Sequence, residues 1–297
     1  MTKRNTIDTT KHSSNWSLIL NNNFEFLRAA GEYDYSNLLR HARFNGEERF
    51  DRTGVGTNAV FGVSWEADIS NQFPLFVRKS MPWKQTIDEL KWFISGGTNY
   101  KQLPERTQHW WSSWADDDGE LGPIYGKQFR DGNGVDQLAQ FLDGIVLNPF
   151  SRRHVISLWD PKEMNEAKLP CCHGLVIQAY VSNDDELSLQ MYQRSADLFI
   201  GVPVNIASYA LFTYLVAAAT RTRPKRLRIV FGDAHVYRSH REQVDEYLAR
   251  QWRPAPSLKI DDRLSGLGIE ALESFTEDDL ELIDYHPDSS IKAPLAV

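Results

Sequence analysis

Apolar residues first fall into a helical rhythm over Lys84–Ser95, where Ile87, Leu90, Phe93 and Ile94 share one face and Gly96-Gly97 ends the pattern. This spacing predicts an amphipathic helix that carries Glu89. Ile206–Thr220 contains neither Pro nor Gly and is apolar nearly all round, which predicts a helix buried on most faces. The β-branched and aromatic runs His154–Trp159, Leu175–Val181 and Leu187–Tyr192 predict strands. The turn-forming Ser182-Asn183-Asp184-Asp185 joins the last two as a hairpin. Leu227–Phe231 predicts a short strand ending at Gly232-Asp233. Irregular alternation of helices and strands around a local hairpin implies an α+β fold, a single domain with a mixed twisted sheet packed against helices.

Residues 1–32 mix Thr, Ser, Asn and Lys with one short apolar patch, Leu18–Leu27, and read as an N-terminal extension to which no chemistry is assigned. From residue 33 to 297 the composition is even, without linker or repeat, so one domain is expected there. The chain is 41% hydrophobic and 25% charged, which excludes a disordered or fibrous protein. Thirty-three Lys and Arg against forty Asp and Glu give a net charge of -7, so no nucleic-acid partner is expected and basic residues must be read locally. The longest apolar stretch, Tyr209–Ala219, falls short of the roughly 20 residues that span a bilayer, and no membrane segment is expected. The polar stretch Met1–Trp16 lacks a signal-peptide core, which leads to the expectation of a cytoplasmic protein.

Cys171 and Cys172 are adjacent and are the only cysteines, so they cannot staple distant segments. An arbitrary cysteine is most often a small buried hydrophobe. Cys172, however, precedes His173 at the expected start of a strand, in a chain that sets Arg52, Arg152-Arg153 and Arg194 in short motifs. Nearby cations lower a thiol's pKa and make it nucleophilic. Several guanidiniums at strand and turn junctions also suit a phosphate, since each offers a planar fork to two oxygens. Cys171, Cys172 and His173 would alternate faces along a strand and cannot surround one metal ion, so no metal is expected. Asp51–Thr57 resembles a Gly-rich phosphate loop but lacks the Gly-Lys-Ser/Thr ending. His235 and Tyr237 are two apart and face one side of an extended segment. Either they bind sugar hydroxyls or they satisfy one another in the core.

In order along the chain stand Asp51-Arg52-Thr53-Gly54, Glu89-Leu90-Lys91-Trp92-Phe93, Gly122-Pro123-Ile124-Tyr125-Gly126-Lys127-Gln128 and Ser151-Arg152-Arg153. Cys172-His173, Gln193-Arg194-Ser195, Pro203-Val204-Asn205-Ile206-Ala207-Ser208-Tyr209, Gly232-Asp233-Ala234-His235-Val236-Tyr237 and Ile291-Lys292-Ala293-Pro294 follow. This ordered set resembles the folate-dependent thymidylate synthase family, which includes the pyrimidine-nucleotide hydroxymethylases, from about Tyr33 to Val297.

The resemblance implies that Cys172 adds to C6 of 2′-deoxyuridine 5′-monophosphate (dUMP) and that C5 then attacks the one-carbon unit of 5,10-methylenetetrahydrofolate. It implies a phosphate held by Arg52, Arg194 and Ser195, and by Arg152 and Arg153 reaching across a homodimer built on a sheet face. That cationic cage would keep Cys172 ionised. Glu89 would organise water and protons at the pyrimidine carbonyl, Tyr125 and His173 would line the proton path, and Gln193 would belong to the nucleotide site. Asn205 would read the N3–H and O4 edge of uracil, and His235 and Tyr237 would hold the 3′-hydroxyl. Asp197 would face the pterin, Trp111 would stack near the transferred carbon and Lys79 would meet the folate glutamate tail. Residues Ala293–Val297 would fold over bound folate.

The expected product is dTMP by reductive methylation; the alternative is 5-hydroxymethyl-dUMP, formed when water reaches the same intermediate. Several residues depart from the synthase pattern near this step: Ser112 for Asp, Cys171 for Pro or a small residue, Val204 for Phe, Pro82 for His and Ser239 for Asn. A non-catalytic, RNA-contacting module is disfavoured by the acidic balance and the complete residue set.

Overall fold

The computed structural model of the protein describes residues 31–50 and 54–294; Arg52, Val297 and nearly all of the N-terminal extension lie outside them. Gly31 and Glu32 pack into the domain, as the cap and first residue of helix α1 (Glu32–Asn45). The Trp65 indole donates to Gly31 O at 2.7 Å, and the Tyr35 hydroxyl donates to Leu198 O at 2.5 Å.

Six strands form one sheet in the order β1-β2-β6-β5-β4-β3, with β1 Glu47–Arg49, β2 Thr57–Asp68, β3 Val155–Ile156, β4 Ile177–Val181, β5 Glu186–Asp197 and β6 Arg223–Tyr237. Only β5 and β6 run parallel. The helix between them, α6 (Gly201–Thr220), is the crossover that a parallel pair requires. The mixed sheet and α+β class read from the sequence are therefore observed.

Several boundaries differ from those the pattern predicts. The predicted strand His154–Trp159 contracts to Val155–Ile156, while β5 continues through Gln193-Arg194-Ser195 to Asp197. β6 runs through Gly232-Asp233 instead of ending there. Gly232 is needed for close approach: a Cβ at this position would lie 2.8 Å from Arg194 O on β5. Strand β2 and helix α1 were not anticipated. Helix α2 (Trp83–Ile94) matches its amphipathic pattern within a residue.

Helix α6 starts at Gly201, with Pro203 tolerated in its first turn, and 16 of its 20 residues are buried. The expectation that no segment reaches spanning length is corrected, because this helix is long and apolar enough by length and composition alone. Its burial on nearly every side accounts for that composition as core packing. Across the sheet from α6 the residues are open to solvent: Gln178 and Tyr180 on β4, Gln190 on β5, and Arg226 and Arg228 on β6 are exposed.

Helix α4 (Tyr125–Asp131) lies against α2, and α5 (Gln137–Leu147) against α4 and α6. Short helices α3 (Glu105–Gln108), α7 (Arg241–Ala249) and α8 (Ile269–Ser274) and the hairpin β7 (Ser257–Ile260) with β8 (Leu280–Ile283) complete the described α-helices and strands.

A buried charged knot fixes the α1 end. The Glu32 carboxylate accepts the N–H groups of Val77 and Arg78 at 3.0 and 3.1 Å and the Tyr247 hydroxyl at 2.7 Å. The Arg78 guanidinium, 1% exposed, donates to Ser36 Oγ, Leu248 O and Arg250 O and lies 4.0 Å from the Trp252 ring centroid. Arg78→Met is expected to lower unfolding free energy by about 3–5 kcal/mol in urea titrations, because Ser36 Oγ, Leu248 O and Arg250 O each lose their donor. A cost below about 1 kcal/mol would contradict the account.

Candidate active site

Helix α2 is amphipathic, and one turn of its buried face presents Glu89 instead of an aliphatic residue. The Trp111 indole N–H donates to Glu89 Oε1 at 2.8 Å. Burial raises the Glu89 carboxyl to about 7, and this single hydrogen bond offsets only part of the effect. A carboxyl poised near neutrality can both give and take a proton. Trp111 therefore serves Glu89 directly, a contact the sequence did not suggest.

Tyr125, the first residue of α4, stacks on Phe93 of α2 at 4.6 Å and on His173 at 4.3 Å between ring centroids. Its hydroxyl oxygen accepts the Cys172 N–H at 2.8 Å and lies 3.3 Å from Cys172 Sγ. With its oxygen occupied by the N–H, the phenol is free to donate its own proton to sulfur. His173 Nδ1 lies 3.0 Å from the Tyr209 hydroxyl. Burial lowers His173 to about 3, so the ring is neutral at physiological pH. Tyr209 sits on α6, one turn after Asn205; that i, i+4 spacing was the overlooked signal for its role.

Cys172 precedes the named strand β4 and is not part of it. Its carbonyl accepts the Arg194 N–H of β5 at 2.8 Å, so the segment still runs beside the sheet. Gly174, at φ +66, interrupts the strand between them, and a Cβ there would lie 2.1 Å from the Tyr209 hydroxyl.

Of the arginines expected to keep this thiol ionised, Arg52 lies outside the described residues and Arg152 and Arg153 were expected from a second subunit; within the described residues Arg194 acts on it. Burial pushes the Cys172 pKa up, and the Tyr125 hydrogen bond and Arg194 charge only oppose it. Arg194 is occupied locally, donating from Nε to Cys171 O and from Nη2 to Pro170 O, both at 2.9 Å, while lying 5.4 Å from the Trp159 ring centroid. It thereby braces the loop that carries the cysteine. Burial also drives the Cys171 thiol far above its ordinary value.

The parallel register of β5 and β6 gathers the remaining candidates, pairing Gln193 with Phe231, Ser195 with Asp233 and Asp197 with His235. Gln193 Nε2 donates to Asn205 Oδ1 at 3.0 Å and to Ser195 O at 3.1 Å, which leaves the Asn205 amide donor unused by this contact. Gln193 Oε1 is buried without a hydrogen-bond partner among the described residues.

His235 Nδ1 lies 2.9 Å from Asp233 Oδ1, and Asp233 in turn accepts from Arg49 at 2.6 Å. The His235 and Tyr237 rings are 5.1 Å apart on one strand. Asp233, two residues from His235 on the same strand face, was legible by period but not singled out.

Asp197 Oδ1 accepts the N–H groups of Phe199 and Ile200 at the entry to α6. Lys79 is buried, donating to Phe199 O at 2.5 Å, and burial lowers it to about 8. Arg152 and Arg153 are exposed on the loop before β3. Arg153 lines a cavity of about 540 Å³ with Gln128, Gln137, Trp159 and Lys162, and Cys172 is not among its lining residues. Among the described residues no group of His, Cys, Asp and Glu is arranged to hold a metal ion.

A family model described as "Thymidylate synthase" matches residues 33–297, and the chain belongs to the thymidylate synthase family. The family acts as a one-carbon transferase on dUMP and uses methylenetetrahydrofolate.

A carboxyl raised from its ordinary 4.5 to about 7 holds its proton more tightly when folded, so its contribution to stability is complete below about 4.5 and lost as pH rises toward 7. Burial of His173 acts with the opposite sign over the same range, so the readout is the difference between wild type and Glu89→Gln: in urea unfolding between pH 5 and 7.5 the wild type should lose stability relative to the variant, on the order of 3 kcal/mol. A difference that does not change with pH would remove Glu89 as its source.

Proposed function

We propose that the protein is a thymidylate synthase that converts dUMP to dTMP with 5,10-methylenetetrahydrofolate. The observation that carries this reading is the cluster in which Cys172 Sγ meets the Tyr125 hydroxyl beside a buried carboxyl poised near neutrality. In the proposed sequence the Cys172 thiolate adds to C6 of the uracil, and the displaced π electrons move to O4. Asn205, its oxygen engaged by Gln193, offers its amide N–H to that developing charge.

C5 then bonds to the methylene carbon of the folate as the carbon–nitrogen bond to N10 breaks. Loss of the C5 proton and cleavage of the bond to N5 leave an exocyclic methylene still attached to Cys172. A hydride from tetrahydrofolate reduces this carbon to methyl, the sulfur departs and dihydrofolate is released. Neutral His173, the Tyr125 and Tyr209 hydroxyls and Glu89 form the route for protons to and from the base. Because the isolated thiol is raised by burial, its ionisation falls to the phosphate-binding arginines and to the Tyr125 hydroxyl.

The phosphate is assigned to Arg52, Arg194 and Ser195 together with Arg152 and Arg153 of a second subunit. Two observations support that homodimer. One sheet face is open and bears Tyr180 at 66% exposure, and Arg153 is exposed and lines a separate cavity. His235 and Tyr237 are assigned to the 3′-hydroxyl, Asp197 and Trp111 to the pterin side, and Lys79 and Val297 to the rest of the folate and its closure. The cytoplasmic location is carried forward as part of the same proposal.

Incubation with dUMP and methylenetetrahydrofolate should produce dihydrofolate absorbance and a methyl-product mass in equal amounts. Cys172→Ala should abolish both. A hydroxymethyl product without dihydrofolate would replace the methylase reading with the hydroxymethylase one, a result to which Ser112 and Pro82 would contribute.

Mixing an Arg153→Ala variant with a Cys172→Ala variant should restore up to about a quarter of wild-type activity, the share of sites that regain both groups in random hybrid dimers. No recovery despite demonstrated subunit exchange would exclude the shared site.

A further inference from the structure

Residues 285–294 form neither helix nor strand, yet they are held closely along most of their length. The Tyr285 hydroxyl accepts the Met81 N–H at 2.9 Å, and the Asp288 N–H donates to Val77 O at 2.7 Å. Arg253 pairs with Asp288 at 2.7 Å, and the Arg250 guanidinium donates to Ser289 O at 2.5 Å. Ile291 and Ala293 then pack against the core. At the end of the described segment, His240 Nε2 lies 2.7 Å from Pro294 O. A carbonyl oxygen can only accept, so Nε2 carries the hydrogen and donates it.

His240 is 0% exposed and lies between the rings of Phe199 and Tyr237, with centroid distances of 5.8 and 5.5 Å. Its other nitrogen, Nδ1, is 3.8 Å from Asp197 Oδ1 and has no hydrogen-bond partner among the described residues. A single imidazole thus touches the C-terminal segment, the turn that Asp197 caps, and the side of Tyr237. Complete burial against these two rings leaves it little rotational freedom, so displacement of any of these three neighbours is felt by the others.

We infer that His240 is a positioning residue: through its bond to Pro294 O it sets the C-terminal segment against the Asp197 turn, on the folate side of the site. This inference rests on the functional reading above, in which Asp197 faces the pterin. It assigns a role to a residue outside the cysteine cluster, one that touches no reacting atom.

The test compares the full-length wild type with His240→Phe, which keeps a ring but no donor, and His240→Gln, whose amide nitrogen can reach the place of Nε2. Hydrogen–deuterium exchange followed by mass spectrometry should show peptides covering 285–294 exchanging about tenfold faster in His240→Phe, the scale of one lost hydrogen bond, with β5 and β6 unchanged. The KM for methylenetetrahydrofolate should rise by about tenfold while that for dUMP stays within about twofold, and His240→Gln should recover at least half of each change.

Unchanged exchange over 285–294 would overturn the inference, as would equal acceleration throughout the sheet. If His240→Phe does not fold, His240→Asn serves instead, since its shorter amide cannot span to Pro294 O, and the same exchange pattern is required of it. Absence of dUMP turnover in the wild type itself would overturn the functional reading and with it the link to folate, whereas the exchange result decides the Pro294 bond independently.

Discussion

The bond from the Trp111 indole to Glu89 holds a carboxyl that helix α2 has carried out of water, and desolvation of that group dominates its chemistry. The same exclusion of solvent governs its neighbours. Burial lowers His173, raises Tyr125 and Tyr209, and raises Cys172 against the pull of Arg194. In water these groups would titrate independently near their ordinary values. Packed between α2, α4, β5 and α6, the histidine, the tyrosines and the thiol are held in their uncharged forms at pH 7, and the half-protonated carboxyl is the group best placed to exchange a proton.

Holding such a cluster requires a rigid frame, and the parallel pair β5–β6 with its crossover helix supplies it. The register that sets Asp197 beside His235 also places Gln193 where it can fix the amide of Asn205 on the following helix. Because α6 is buried almost throughout, Asn205 and Tyr209 cannot shift without opening the core. The Glu32–Arg78–Tyr247 knot does the corresponding work at the other end, pinning the 77–79 segment that carries Lys79 against α1 and α7. Arg194 illustrates how one residue can serve two demands. Its charge belongs to the electrostatics of the thiol, while its hydrogen bonds shape the loop that presents it.

Much of this was legible before any coordinates. Helix α2 and the core of α6 follow from period and composition, because a stripe of apolar side chains or a fully apolar run can be buried only as a helix at those lengths. The hairpin of β4 and β5 was legible from its turn residues, and the ordered motifs carried the family to residues 33–297. Strand β2 was not legible: its twelve residues alternate only at their C-terminal end, and Phe61 is exposed although apolar. The continuation of β6 through Gly232-Asp233 was misread as a stop because a glycine signals a turn locally, whereas here it admits the backbone of β5.

Residue types and their order along the chain determined the family and singled out the candidate nucleophile, carboxyl and amide, since those chemical identities do not depend on folding. The tertiary structure decided their states. That Trp111 contacts Glu89, that Arg194 points at carbonyls, that His240 reaches Pro294 and that the Cys172 thiol lies above its ordinary pKa all follow from contacts between residues distant in sequence. Local pattern fixes which face of an element is buried, but the dielectric and the hydrogen-bond partners around a buried polar group exist only once separate elements have packed together.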